Sequence, residues 1–109
     1  MKVNIRTQAE LTVIEVSGDI DSRSAPALQN ELLPLVTPEC KLILELSQVE
    51  FMTSAGLRVL LSLRRQLPQN GQLVLVGLND QIRDTMTTTG FLELFIIQPT
   101  LPAGLAALV

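Results

Sequence analysis

Two uninterrupted apolar runs of strand length, "CKLILELS" at 40–47 and "QLVLVGL" at 72–78, stand on either side of a leucine-rich stretch, "AGLRVLLSLRRQL" at 55–67. A strand that is apolar at successive positions has no face to give to water, so it needs cover on both sides, as the strands of parallel sheets have. The stretch between the runs has the helical period. Leu57, Leu60, Leu61 and Leu67 fall on one broad face with Val59 and Leu63 beside them, and Arg58, Ser62, Arg65 and Gln69 form the opposite polar stripe. Strand, helix and strand in succession make a βαβ unit, so the rest of the chain must assemble around a sheet with parallel strands and right-handed crossovers.

The remaining segments extend that unit. "KVNIR" and "LTVIEVSG" read as strands joined by the polar "TQAE", a hairpin connection. In the second, Ile14 and Val16 point one way and Leu11 and Val13 the other, with Glu15 partly exposed. In "GDIDSRSAPALQNELLPLV", Ser22 or Ser24 is placed to cap a helix and Pro26 suits its first turn, where no amide is needed. Leu28, Leu32 and Leu35 follow at helical spacing, and Pro34 and Pro38 keep this helix short. "NDQIRDTMTTTG" predicts a helix capped by Asn79 and stopped by Gly90, with an irregular last turn because Thr87, Thr88 and Thr89 are poor helix formers. "FLELFIIQ" predicts a final strand and "TLPAGLAALV" a last short helix. The expected order is β-β-α-β-α-β-α-β-α. This is one small α/β domain over residues 1–109, with a mostly parallel, mixed five-stranded sheet, helices packed on it and one N-terminal hairpin strand.

Composition removes several functions. With eight basic and eleven acidic residues the net charge is −3, and no basic cluster exceeds Arg64-Arg65. A phosphate backbone calls for a basic stripe, so nucleic acid is not an expected partner. Three Phe and no Trp or Tyr provide no stacking platform for single strands. "MKVNIRTQ" lacks the apolar segment of a signal peptide, and no apolar run approaches the ~20 residues that span a bilayer. The expectation is a soluble cytoplasmic protein, with the single Cys40 a buried reduced thiol. The chain has no histidine. Ser-His-Asp and Cys-His catalysis and His-based zinc sites are therefore out of reach, and neither a metal nor a cofactor is expected.

The residues left to carry function cluster at "VEFMTSAG", where a strand ends and the leucine-rich helix begins. Thr53 or Ser54 would each serve as an ordinary helix cap. Yet two hydroxyls stand where one cap suffices, and no capping-box Glu or Gln follows. Gly56 replaces a residue that helix propensity would favour by about 1 kcal/mol, which fits a close approach to the helix start. After a parallel strand, these residues lie at the strand's carboxyl end, the working rim of open α/β sheets, beside a positive helix terminus. Asp19 and Asp21, two residues apart, would serve as an acid–base pair or half a cation site, but a solvated strand end with a turn carboxylate accounts for them more simply.

These motifs resemble a known family. "LILELSQVEFMTSAGLRVLL" is similar to the signature of the anti-sigma-factor antagonist branch of the STAS domain family. There an apolar strand is followed by "(D/E)LS-x-V-x-(F/Y)" and then by "D-S-(S/A)-G-L-x-x-L" opening a helix. "VSGDID" resembles that family's "G-(E/D)-(L/I)-D" at the end of its second strand, and the likeness extends over nearly the whole chain. The resemblance implies a small domain whose serine, Ser54 here, is phosphorylated by a partner kinase. That kinase is typically also an anti-sigma factor with an ATPase fold, and a metal-dependent serine phosphatase reverses the mark. The unphosphorylated form binds the anti-sigma factor and frees the sigma factor. The family's usual Asp before the serine is Thr53 here, which makes Thr53 an alternative acceptor. The implied partner-binding face comprises Asp21, Ser22, Thr53, Ser54, Ala55, Gly56 and Arg58.

Two other functions compete with that expectation. A STAS module of the same fold could serve a different partner, such as a multi-protein signalling complex or a regulated enzyme. An enzyme using Ser54 as nucleophile would need a base, and the chain has no histidine and only Lys2 and Lys41 as lysines. The expectation is accordingly a binding module and not an enzyme.

Overall fold

A two-residue turn at Ala9 and Glu10 folds β1 (Lys2–Gln8) back onto β2 (Leu11–Ser17) as an antiparallel pair, with Ile5 opposite Ile14 and Val3 opposite Val16; Thr7 and Gln8 of the expected connection belong to the strand. The computed structural model describes residues 1–108. After β2 come α1 (Ala25–Leu32), β3 (Lys41–Gln48), α2 (Ser54–Gln66), β4 (Gln72–Val76), α3 (Asp80–Thr88), β5 (Ile96–Gln98) and α4 (Leu101–Ala107). The sheet has the order β1-β2-β3-β4-β5, and every pair after the hairpin is parallel. The two apolar runs are thus interior strands, as their lack of a polar face requires.

The two-residue period of the strands divides the core. Ile14, Val16, Leu42, Leu44, Leu46, Leu73 and Leu75 face one way and meet Leu28 and Leu32 of α1, Leu57, Leu60 and Leu63 of α2, and Ile82 and Met86 of α3. Val13, Ile43, Val74 and Val76 face the other way, against Leu101, Ala107 and Leu108. A fully buried Leu, Ile or Val contributes about 1.5–3 kcal/mol. Gly104 lets α4 lie close on the sheet, since a Cβ there would come within 2.6 Å of Val76 Cγ1. Cys40 is a buried free thiol. Among the described residues no helix is long and apolar enough to cross a membrane.

Four local expectations need correction. "FLELFIIQ" is a strand only at its end, because Leu92–Leu94 forms a 3-10 turn and β5 begins at Ile96. Phe91, Leu92 and Phe95 pack on the core at the spacing of a helical turn, and Arg64 Nε donates to the Leu94 carbonyl, which fixes that turn. The last turn of α3 is regular through Thr88. Thr87 and Thr89 hydroxyls donate to the Arg83 and Thr85 carbonyls, both at 2.8 Å, so polar threonines are absorbed by the helix itself. On α2 the buried residues are Gly56, Leu57, Val59, Leu60 and Leu63, while Leu61 and Leu67 are half-buried at the margins. Finally, Ser24 stands at the cap position of α1, but its side chain accepts no capping hydrogen bond from the helix. The Asp21 carboxylate instead braces the turn ahead of the helix, as described next. The predicted last helix is α4; Val109, the end of the stretch assigned to it, lies outside the described residues.

Candidate functional site

Beyond the ends of β2 and β3 the two chains stay zipped. β3 gains a residue against β2 between the pairs Glu15–Glu45 and Ser17–Gln48, a bulge that turns the strand end. Gly18, at φ +88°, then lets the main chain turn in a way side-chain-bearing residues disfavour. Gly18 N donates to Gln48 O at 3.1 Å, Ile20 N to Phe51 O at 3.0 Å, and Thr53 N to Ile20 O at 2.9 Å. Ile20 and Met52 form a parallel bridge and are both buried, so their side chains plug the core beneath the rim. This zipper brings the 19–22 segment beside residues 51–54, which are distant in sequence.

Helix α2 starts without a side-chain cap. Thr53 occupies the cap position in an extended conformation, but its hydroxyl turns back toward Ile20 O at 3.4 Å, a long contact. Ser54 is the first helical residue and is exposed; the first bond into the helix runs from Leu57 N to Thr53 O. The amides ahead of Leu57 have no partner within the helix and carry the positive end of its dipole. The cap reading of the hydroxyl pair therefore does not describe this helix start.

Gly56 departs from its expected place on the partner face. It is buried, and a Cβ there would come within 2.6 Å of Met52 Cγ and 2.8 Å of Ile20 Cγ2. The close approach inferred from this glycine is made by the chain's own core, not by a visitor. Gly56→Ala should therefore destabilise the protein by about 1–2 kcal/mol in a denaturant melt. Overpacking of about 1–3 kcal/mol outweighs the gain in helix propensity of about 1 kcal/mol. A more stable Ala variant would contradict this packing.

The turn before α1 is built on Asp21. Its Oδ1 accepts from Arg23 N at 2.9 Å and Ser24 N at 3.1 Å, while Ser24 Oγ accepts from Asp21 N and donates to Asp19 O, both at 3.0 Å. The amides of Ser24 and then Arg23 hold the Asp21 carboxyl below its ordinary 3.8. A depressed folded pKa means that this support is complete above the unfolded value and is lost as pH falls through the folded one. An NMR titration should thus give Asp21 a midpoint below 3.8, with Ser24 amide protection falling through the same midpoint. A midpoint at or above 3.8 would remove the carboxylate from this role. Among the described residues Asp19 and Asp21 belong to no group of three acidic or Cys side chains able to hold a metal.

Ser22 is exposed on this turn and looks across a groove of about 440 Å³ between α1 and α2. Ser22, Pro26 and Gln29 line one wall, and Ala55, Arg58 and Val59 the other. The structure thus joins Ser22, Ala55 and Arg58 in one surface, and Asp21, Thr53 and Ser54 adjoin Ser22 and Ala55 along the chain. From the other side α3 grips the same loop. Asn79 caps α3 by accepting from Ile82 N at 2.9 Å, and its Nδ2 donates to Val49 O and Glu50 O at 3.2 and 2.9 Å. Gln81 bonds the main chain of Met52.

Two features of the site went unread in the sequence. Phe51, three residues ahead of Ser54, is 47% exposed, an apolar group in the loop whose signal was an aromatic between a strand and a helix. Gln81 reaches this loop from a helix 29 residues away, and no local pattern announces such a contact.

Comparison with known proteins agrees with this fold. The model of the STAS domain family matches residues 2–104. BtrV of Bordetella bronchiseptica, assigned to the anti-sigma factor antagonists, is 32% identical over 109 residues, covering 98% of this chain and 94% of that protein. The crystal structure of an anti-sigma factor antagonist from Mycobacterium paratuberculosis is 30% identical, with a TM-score of 0.90 over 98% of this chain and 92% of the other. At 16% identity, the phosphorylated form of the Bacillus cell fate determinant SpoIIAA shares the fold, with a TM-score of 0.72 over 96% of this chain and 97% of its own. With its two signature segments zipped together at one rim of the sheet, the chain belongs to the STAS domain family, in its anti-sigma-factor antagonist branch.

Proposed function

We propose that this anti-sigma-factor antagonist is switched by phosphorylation of Ser54. The observation that carries the reading is the placement of Ser54: exposed, first in α2, with no side-chain cap over the helix start, and next in the chain to Ala55, which lines the groove with Ser22 and Arg58. A hydroxyl so placed is open to a kinase. A phosphate added there meets a positive helix terminus, with Arg58 one turn along. That SpoIIAA has the same fold in a phosphorylated state supports the idea that this architecture accommodates the modification. Thr53 is the weaker acceptor, since it is half-buried and its hydroxyl is turned toward Ile20 O.

In this reading Asp21, Ser22, Ser54, Ala55 and Arg58 form the docking face for an anti-sigma factor of ATPase fold that is also the serine kinase. A metal-dependent phosphatase restores the unmodified form, and the exchange takes place in the cytoplasm. The chain itself is a binding protein, with no residue that acts as a histidine-like base. The test is mass spectrometry of the chain after incubation with its serine kinase and ATP. One phosphate on Ser54, lost in Ser54→Ala and kept in Thr53→Ala, is the expected result. Phosphate confined to Thr53 would overturn the assignment.

A further inference from the structure

Met52, two residues ahead of Ser54, is held from both sides. On one side it bridges Ile20, and on the other it meets the side-chain amide of Gln81. Met52 N donates to Gln81 Oε1 at 3.1 Å, and Gln81 Nε2 lies 3.4 Å from Met52 O. A carboxamide has the donor and the acceptor of a peptide group, so Gln81 pairs with Met52 much as a neighbouring strand would. Its orientation is set one turn further along α3. Gln81 Nε2 donates to Thr85 Oγ1 at 3.2 Å, and that hydroxyl donates to Gln81 O at 2.9 Å. Asn79 already caps α3, so Gln81 is not needed to close its own helix.

We propose that Gln81 is a positioning residue for the Ser54 site. By completing the hydrogen bonds of Met52, it holds Phe51 to Ser54 in the geometry that a docking protein meets. It acts through the Met52 main chain rather than on Ser54, and the proposal rests on the reading of Ser54 as the modified residue. Without Gln81 the segment is correctly arranged only part of the time. Apparent affinity for whatever docks there falls by that fraction, while the chemistry after docking is unchanged. The signature is therefore a rise in KM for the chain as kinase substrate, with kcat unaltered.

The experiment compares the parent, Gln81→Ala, Gln81→Glu and Thr85→Val by amide hydrogen exchange and by steady-state phosphorylation with the serine kinase that modifies Ser54. In Gln81→Ala the Met52 amide should exchange about fivefold to tenfold faster, as loss of one hydrogen bond implies, and KM should rise by a similar factor. Gln81→Glu keeps an acceptor for Met52 N and should restore most of that protection. Thr85→Val frees the Gln81 rotamer and should shift both readouts in the same direction, less far. Parental Met52 exchange in Gln81→Ala would overturn the proposal, as would a uniform loss of protection across the sheet with KM unchanged. The exchange measurement needs no kinase, so a parent chain left unmodified at Ser54 counts against the proposed switch and is told apart from a failure at Gln81.

Discussion

Ser54→Asp should weaken binding to the anti-sigma factor by about a hundredfold or more, while the melting temperature stays within a degree or two of the parent. The two halves of this result have separate causes. Ser54 is exposed at the start of α2, where a negative charge gains about 0.3–1 kcal/mol from the helix dipole and touches nothing in the core. Folding therefore has little to lose. A partner seated over Ser22, Ala55 and Arg58 must instead desolvate that charge or place its own groups against it. Such a mismatch costs several kcal/mol, and each 1.4 kcal/mol is tenfold in affinity. Authentic phosphate carries about −1.5 to −2 charges and should weaken binding further. Ser54→Ala should bind regardless of kinase activity. Titration calorimetry of the variants against the anti-sigma factor reads the effect directly; equal affinities for Ser54→Asp and the parent would sink the switch.

Leu44→Asp should abolish cooperative folding. Leu44 is fully buried in β3, between Ile14 of β2 and Leu75 of β4. A carboxylate at that position has no cation or amide to meet, and an unpaired buried charge costs several kcal/mol even when it escapes by taking up a proton. The apolar contacts of leucine are lost as well, about 2–5 kcal/mol by the standard of large-to-small core changes. Against a total stability of about 5–15 kcal/mol, that sum leaves little or nothing. A thermal melt followed by far-ultraviolet circular dichroism should show no sigmoidal transition. A variant melting within a few degrees of the parent would remove β3 from the centre of the sheet.

The interior strands were legible because a sequence such as "LILEL" has only one kind of environment open to it, and α2 was legible because its polar stripe is unbroken. The start of α1 was not, since Asp21, Ser22 and Ser24 all offer oxygen atoms to free amides. Only the conformation of the turn decides that the Asp21 carboxylate accepts from Arg23 and Ser24. Gly56 shows the same limit from the other direction. Its identity announced a close approach, but whether a visitor or the protein's own Ile20 made that approach depends on a zipper spanning more than thirty residues of sequence. The rim at Ser54 was found through local motifs; its support by Gln81 is tertiary, and local motifs do not carry tertiary contacts.

The strand order has a consequence for the type of ligand this protein takes. In open α/β sheets, small molecules settle in the crevice formed where the strand order reverses and successive crossovers part to opposite faces. Here the order among the described residues runs β1 to β5 without reversal, and α1, α2 and α3 all pack on the same face. There is no topological switch point and hence no parting of neighbouring loops. The β2–α1 and β3–α2 loops are instead drawn together by the Ile20–Met52 bridge into one continuous edge. A cleft encloses a metabolite, whereas an edge is fitted to be enclosed. In the proposed switch Ser54 is accordingly the thing recognised, a residue offered to another protein's cavity.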